Sequence, residues 1–210
     1  MIIVAVDFTE YNLTHMSEHT IAASIRDYLI RKYIRPYGEF EFSRRELGKP
    51  YIVNSDITYS LSHTNGCIAC AFCVDKVMCD VPILPDVVCE SGVYCIPSPH
   101  PCEIGLDIEV CDTSRTKERM DAIASRYYSE GEQARLSEVT DKFFEFYSIW
   151  TEKESYVKCT GDGMRAIKSV DTANLPLDTM IYKFSLNNGC NVFAASVCLK
   201  KSVDNSMSIL

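Results

Sequence analysis

The chain predicts a mixed α/β fold (α+β), and three observations carry that prediction. Short apolar or alternating runs, among them MIIVAV at the start and IGLDIEV from Ile104, have the two-residue period of strands. Longer segments between them place apolar residues at helical spacing, most clearly over Phe143 to Lys158. With 210 residues and 47% hydrophobic content, the chain can bury one large core or two small ones that share an interior.

Taken in order, MIIVAVDFTE reads as a first strand. It lacks the basic leader, long apolar middle and small-residue cleavage site of a signal peptide, so the expected location is the cytoplasm. Met16 to Tyr33 reads as a helix with Ile21, Ile25, Tyr28 and Leu29 on one side, ended by Pro36 and Gly38. Gly48-Lys49-Pro50 makes a turn, and Tyr51 to Val53 resumes an extended run. ITYSLSHTNGCIACAFCV is two strands joined at the Asn65-Gly66 hairpin turn, with Ser62 and His63 just before it. Residues 75–102 carry five prolines without a clear period and read as an irregular insertion, a surface loop. Alternation returns at IGLDIEV. A segment through Arg126, the SEGEQARLSEV run and the long aromatic stretch then read as helices, the last ended by Gly161-Asp162-Gly163. Met180 to Leu186 and Val192 to Leu199 are the final strands, around Asn187-Asn188-Gly189. Asn65-Gly66-Cys67 and Asn188-Gly189-Cys190, each followed by alanines and a cysteine, form a faint internal echo.

Composition removes several classes. The apolar runs fall well short of the roughly 20 residues that cross a bilayer, so no membrane span is expected. A net charge of -8 argues against a general nucleic-acid binder. Positive charge is concentrated early, at Arg26, Arg31, Lys32, Arg35, Arg44, Arg45 and Lys49, where it either forms a solvated face or meets an anion locally. Eleven cysteines without an export signal favour free thiols. Cys67, Cys70 and Cys73 lie three apart on a strand, alternate between its faces, and are expected to be buried small hydrophobes and not a metal site. The uneven cysteines of the insertion leave a zinc or thiol protein as a remote reading, open to metal analysis.

The chemistry concentrates in few residues. Asp107 and Glu109 share one face of their strand, roughly 7 Å apart along it. On the long helix, Phe143, Phe146, Tyr147, Trp150 and Val157 form one stripe with Glu154 inside it and Lys158 one turn beyond, while Glu152 points away as a solvated acid. A carboxylate facing a core needs a compensating cation or proton. Three oxygen donors of this kind suit a hard cation such as Mg²⁺. Ser62, His63 and Lys49 offer hydroxyl, imidazole and ammonium groups to phosphate oxygens, whereas the absence of a G-x-S-x-G elbow argues against a serine hydrolase.

GLDIE at 105–109, WTEKE at 150–154 with Lys158, and GDG at 161–163 resemble the paired signatures of the 4′-phosphopantetheinyl transferases, most closely the larger monomeric type that activates peptide and polyketide synthetases. Gly48-Lys49-Pro50 and Ser60-Leu61-Ser62-His63 resemble its upstream elements. The resemblance implies two similar α/β halves, residues 1–103 and 104–210, related by a pseudo-twofold axis with the active site between them. It implies transfer of 4′-phosphopantetheine from coenzyme A to a serine of an acyl or peptidyl carrier protein. Asp107, Glu109 and Glu154 would be Mg²⁺ ligands, and Glu154 either holds the ion only or also takes the serine proton. Lys158 would neutralise the pyrophosphate or the departing ADP, and Lys49, Ser62 and His63 would hold phosphates. Arg26 and Arg31 fall where the family carries its basic motif for the 3′-phosphate. Lys153 would pair with an acid or a phosphate. The alternative is a noncatalytic protein that binds coenzyme A or a carrier domain.

Overall fold

The computed structural model describes residues 1–8, 18–31, 39–55, 57–74, 80–98 and 102–201. The expected helix limits at Met16 and Tyr33, together with Lys32, Arg35, Pro36, Gly38, Cys79, Pro99 and Pro101, lie outside them. The elements run β1 (Ile2–Asp7), α1 (Glu18–Leu29), β2 (Phe42–Arg44), β3 (Pro50–Ile52), β4 (Thr58–Thr64), β5 (Cys67–Cys73), β6 (Val87–Val88) and β7 (Gly92–Ile96). They continue with β8 (Cys102–Val110), α2 (Lys117–Tyr127), α3 (Glu130–Glu138), α4 (Lys142–Thr160), a 3-10 helix (Met164–Ser169), β9 (Thr179–Asn187) and β10 (Val192–Lys201). The mixed α/β expectation holds. β8 starts at Cys102, so a division between residues 103 and 104 falls inside a strand.

Two four-stranded sheets, ordered β4-β5-β1-β7 and β6-β9-β10-β8, carry the fold. Strand alternation then sorts every side chain. Ile2, Val4, Val6, Ala69 and Ala71 of the first sheet meet Ile104, Leu106, Ile108, Phe193, Ala195 and Val197 of the second in a shared core. The outer face of the first sheet, with Ile3, Cys70 and Phe72, packs with Ile30 and Ile25 in a separate cluster. Cys67 and Cys73 thus face one core and Cys70 the other, all three buried and free, as their spacing requires. In α1, Tyr28 is 57% exposed and does not join the buried side expected for it, while the side chains of Ile21 and Leu29 lie outside the described residues.

On β8 the even positions fill the shared core, so Glu103, Gly105, Asp107 and Glu109 turn to the other face, where α4 lies. Helix and strand touch at Gly105. A Cβ there would stand 1.9 Å from the Ser155 carbonyl oxygen and 2.4 Å from the Cys159 nitrogen. The contact is backbone to backbone and cannot be relieved by a rotamer change. Gly105→Ala is therefore expected to destabilise the fold by at least about 3 kcal/mol. Urea unfolding with an unchanged midpoint would refute the close approach.

The two sheets also meet edge to edge. β4 and β8 run side by side without a backbone ladder, joined through alternate hydroxyls of β4. Thr58 Oγ1 donates to the Cys102 carbonyl at 2.8 Å. The Leu106 N–H donates to Ser60 Oγ at 2.8 Å, and the Ile108 N–H to Ser62 Oγ at 3.3 Å. The two Asn-Gly turns lie close together, a Cβ at Gly66 falling 3.7 Å from Asn188 Nδ2.

The stretch 75–102 is not merely a surface loop. β7 pairs antiparallel with β1, and β6 pairs parallel with β9, so the insertion adds one strand to each sheet. Val88 and Ile96 are buried in the shared core. Short strands between prolines carry too few residues to show a period, which is why the sequence conceals them.

Candidate active site

α4 begins at Asp141, whose side chain accepts from the Phe144 N–H, and ends at Gly161 with φ 78°, the left-handed cap that glycine supplies. Phe146, Tyr147 and Ile149 pack on the outer face of the second sheet, and the Thr151 and Ser196 hydroxyls hydrogen-bond at 2.9 Å. This docking aims Glu154 and Lys158 at the β8 face that carries Asp107 and Glu109.

The three acids converge. Asp107, Glu109 and Glu154 each offer a carboxylate oxygen within 4.8 Å of the others, the only such group among the described residues. Lys158 Nζ donates to Asp107 Oδ1 at 2.5 Å and to Ser62 Oγ at 3.1 Å, and lies 3.9 Å from Glu154 Oε2. Ser62 Oγ in turn donates to Asp107 Oδ1 at 2.9 Å. Asp107 Oδ2 is buried without a hydrogen-bond partner.

One ammonium does not balance three acids. Burial, then the Asp107 charge, pushes the Glu154 carboxyl up to about 8, although Lys158 and the Trp150 indole pull the other way. Burial and Asp107 likewise push Glu109 up to about 7. At Asp107 burial outweighs Lys158 and Ser62 and raises the carboxyl above its ordinary value. Burial alone would lower Lys158, but Asp107, Glu154 and Glu109 reverse that and hold it charged. An unpaired buried oxygen amid crowded carboxylates is the donor set of a hard divalent cation. The residues fit Mg²⁺.

A cleft of about 500 Å³ opens above this cluster. Arg44, Lys49, Tyr59, Ser62, His63, Asp107, Glu109, Glu154, Lys158, Gly161 and Gly163 are among its walls. Of the expected phosphate-holding groups, Ser62 and His63 line the cleft, Ser62 buried against Asp107 and Lys158. Lys49 is differently employed. Its side chain is 5% exposed, and its ammonium reaches Glu103 Oε2 at 2.5 Å and also donates to the Cys159 carbonyl near the end of α4. Burial notwithstanding, Lys49 and Arg45 hold the Glu103 carboxyl below its ordinary value. The Gly48-Lys49-Pro50 turn is thereby clamped to the helix, and its lysine is spent on that clamp. Arg26 and Arg31 do not line the cleft. Arg26 stacks on Phe42, 3.4 Å from the ring centroid, and pairs with Asp27 at 2.7 Å, while Arg31 lies 5.7 Å from the Phe40 ring centroid. Arg44, counted in sequence only as one of a basic cluster, is the arginine at the cleft wall.

One further expectation is corrected, and of the two partners expected for Lys153 the acid is the one observed. Glu152 is no solvated acid: it is 3% exposed and takes two bonds from Arg135, at 2.7 and 3.0 Å. Lys153 is fully buried and chelated by Glu132 at 2.8 and 3.1 Å, so it cannot reach a phosphate in the cleft.

The family model of the 4′-phosphopantetheinyl transferase superfamily matches residues 103–196, which carry all three acids and Lys158. The chain belongs to this superfamily. It is 31% identical to the 4′-phosphopantetheinyl transferase gsp of Aneurinibacillus migulanus over 166 residues, 76% of this chain and 54% of that protein. It is 29% identical over 161 residues to the 4′-phosphopantetheinyl transferase Sfp of Bacillus subtilis, 74% of this chain and 52% of Sfp. A third relative, the 4′-phosphopantetheinyl transferase HetI of Nostoc, is 23% identical over 147 residues, 67% of this chain and 50% of HetI. The chain thus spans about half the length of the curated relatives it matches. Lys49, Ser62 and His63 lie before the residues that the family model matches. No helix among the described residues is long and apolar enough to cross a membrane.

Proposed function

We propose that the chain is a Mg²⁺-dependent 4′-phosphopantetheinyl transferase that moves the 4′-phosphopantetheine group from coenzyme A to a serine hydroxyl of an apo acyl or peptidyl carrier protein. The observation that supports this reading best is the carboxylate trio, with its orphaned Asp107 oxygen, beside Lys158 in a cleft that Ser62 and His63 also line. The reading includes a monomer of two pseudo-symmetric α/β halves working in the cytoplasm.

Asp107, Glu109 and Glu154 would hold Mg²⁺, which when bound supplies charge neutralisation to the pyrophosphate. His63 and Arg44 orient phosphate oxygens along the cleft wall, and Ser62, whose hydroxyl donates to Asp107 Oδ1, braces that acid. The Glu154 side chain is 14% exposed and that of Asp107 only 3%. Glu154 is therefore more open than Asp107 to an incoming hydroxyl, and we assign it the serine proton. The serine oxygen bonds to the β-phosphorus, the bond from that phosphorus to the bridging oxygen breaks, and 3′,5′-ADP leaves with Lys158 to offset its charge. Intact-mass spectrometry of several apo carrier proteins incubated with the chain, coenzyme A and Mg²⁺ tests this. A gain of one phosphopantetheine group is expected, and coenzyme A binding without a mass gain would leave a noncatalytic binder.

The crowded acids also set a pH dependence. Glu109 and Glu154, ordinarily near 4.5, hold their protons in the folded metal-free chain up to about 7 and about 8. The folded state then binds more protons than the unfolded one between those values, so stability falls as pH rises from about 4.5 to about 8. Differential scanning fluorimetry should show a lower Tm at pH 8 than at pH 5.5 without divalent ions, and a larger gain on adding Mg²⁺ at pH 8. An equal Mg²⁺ effect at both values would count against the trio.

A further inference from the structure

Glu152, Lys153 and Glu154 are consecutive, so they leave α4 in three directions about 100° apart. Only Glu154 faces the cleft. The other two are gripped by α3, a helix none of whose residues lines it. Arg135 forks onto Glu152, which also accepts from Ser148 Oγ at 3.3 Å and lies 3.5 Å from Lys183 Nζ. Glu132 chelates Lys153, and both side chains are 0% exposed.

Glu132 is itself fixed from every side. Its Oε1 accepts from Thr172 N and Thr172 Oγ1, both at 2.8 Å, and its Oε2 from Ser129 N at 2.8 Å. Lys153 also donates to the Val170 carbonyl. The pair therefore ties α4 to the start of α3 and to the loop after the 3-10 helix. A buried ion pair of this kind is weak evidence for stability, because desolvation offsets its attraction. Its directional bonds do something that an apolar contact does not, which is to resist rotation of the helix about its axis. With a carboxylate roughly 6 Å from that axis, a turn of about 10° moves it by about 1 Å, and displacements of that size are costly at a reacting centre.

We infer that Glu132 and Arg135 are positioning residues for the carboxylate trio: by holding Lys153 and Glu152 they set the rotation of α4, and with it the direction of Glu154 toward Asp107 and Glu109. This rests on the trio being the Mg²⁺ site of the proposed transferase.

The test uses the full chain and two variants, Glu132→Gln and the double variant Glu132→Gln, Lys153→Met, which removes both charges and leaves an apolar side chain of similar length. Mg²⁺ affinity is measured by calorimetry, folding by thermal unfolding, and kcat and KM by carrier loading. Expected is a loss of Mg²⁺ affinity of about tenfold in both variants, with kcat reduced and KM for the carrier unchanged. The double variant should stay folded with a Tm only modestly below wild type and yet bind Mg²⁺ weakly, whereas a purely structural pair would leave Mg²⁺ affinity unchanged in the folded variant. If Glu132→Gln fails to fold, the double variant carries the test. A folded double variant with wild-type Mg²⁺ affinity and kcat overturns the positioning role alone. A wild-type chain that neither binds Mg²⁺ nor loads a carrier overturns the reading of the site and this inference with it.

Discussion

Asp107→Asn is expected to slow carrier loading on the order of 10³-fold while leaving the chain folded. The substitution preserves shape and an oxygen for Ser62, whose hydroxyl lies 2.9 Å from Oδ1. It deletes the charge on the most buried of the three acids and the one whose free oxygen has no partner. Because burial already disfavours the charged form of Asp107, the neutral amide removes a penalty from the metal-free protein, and thermal unfolding should show little loss. Mg²⁺ binding should weaken in parallel with turnover. Loading by intact-mass time course within tenfold of wild type would remove Asp107 from the reaction.

Lys158→Met is expected to separate binding from turnover in the opposite sense. The ammonium sits 2.5 Å from Asp107 Oδ1 and 3.9 Å from Glu154 Oε2, where it competes with any cation the acids hold. Taking it away removes the cation bonded to Asp107, although Arg115 still acts on Glu109, so Mg²⁺ should meet less opposition and bind more tightly. Loading should nonetheless fall by about 10²-fold or more, because the ammonium that would offset charge on the departing ADP is gone. Metal titration combined with loading rates decides it. Weaker Mg²⁺ binding, or undiminished loading, would show that Lys158 serves the acids and not the substrate.

The site was legible in sequence where one period decided a direction. Alternation along IGLDIEV put Asp107 and Glu109 on one face, and helical spacing put Glu154 among aromatics. Both directions are those observed, and the alternation that sorted the three core cysteines worked for the same reason. The same wheel misplaced Glu152, because it divides a helix into a buried side and a wet side. α4 has a sheet on one side and α3 on another, and neither Glu152 nor Lys153 reaches solvent. Their partners, Arg135 and Glu132, lie on a separate helix whose packing no local pattern reveals. Lys49 teaches a related lesson: its residue type suited a phosphate, but pairing is set by tertiary position, and Glu103 stands closer. Strands β6 and β7 were hidden for want of length. Tyr28 and Arg26 show that a short amphipathic pattern does not say which flank is covered.

The hydroxyl seam between β4 and β8 bears on how the protein behaves at high concentration. Each of these strands is the last of its sheet, and an open last strand is a template on which another chain can pair. Thr58, Ser60 and Ser62 satisfy backbone groups of β8 and press the two borders together. That leaves β7 and the two-residue β6 as the outer strands. Replacing the three hydroxyls by alanine would unzip both borders at once, and self-association should then appear before any loss of secondary structure.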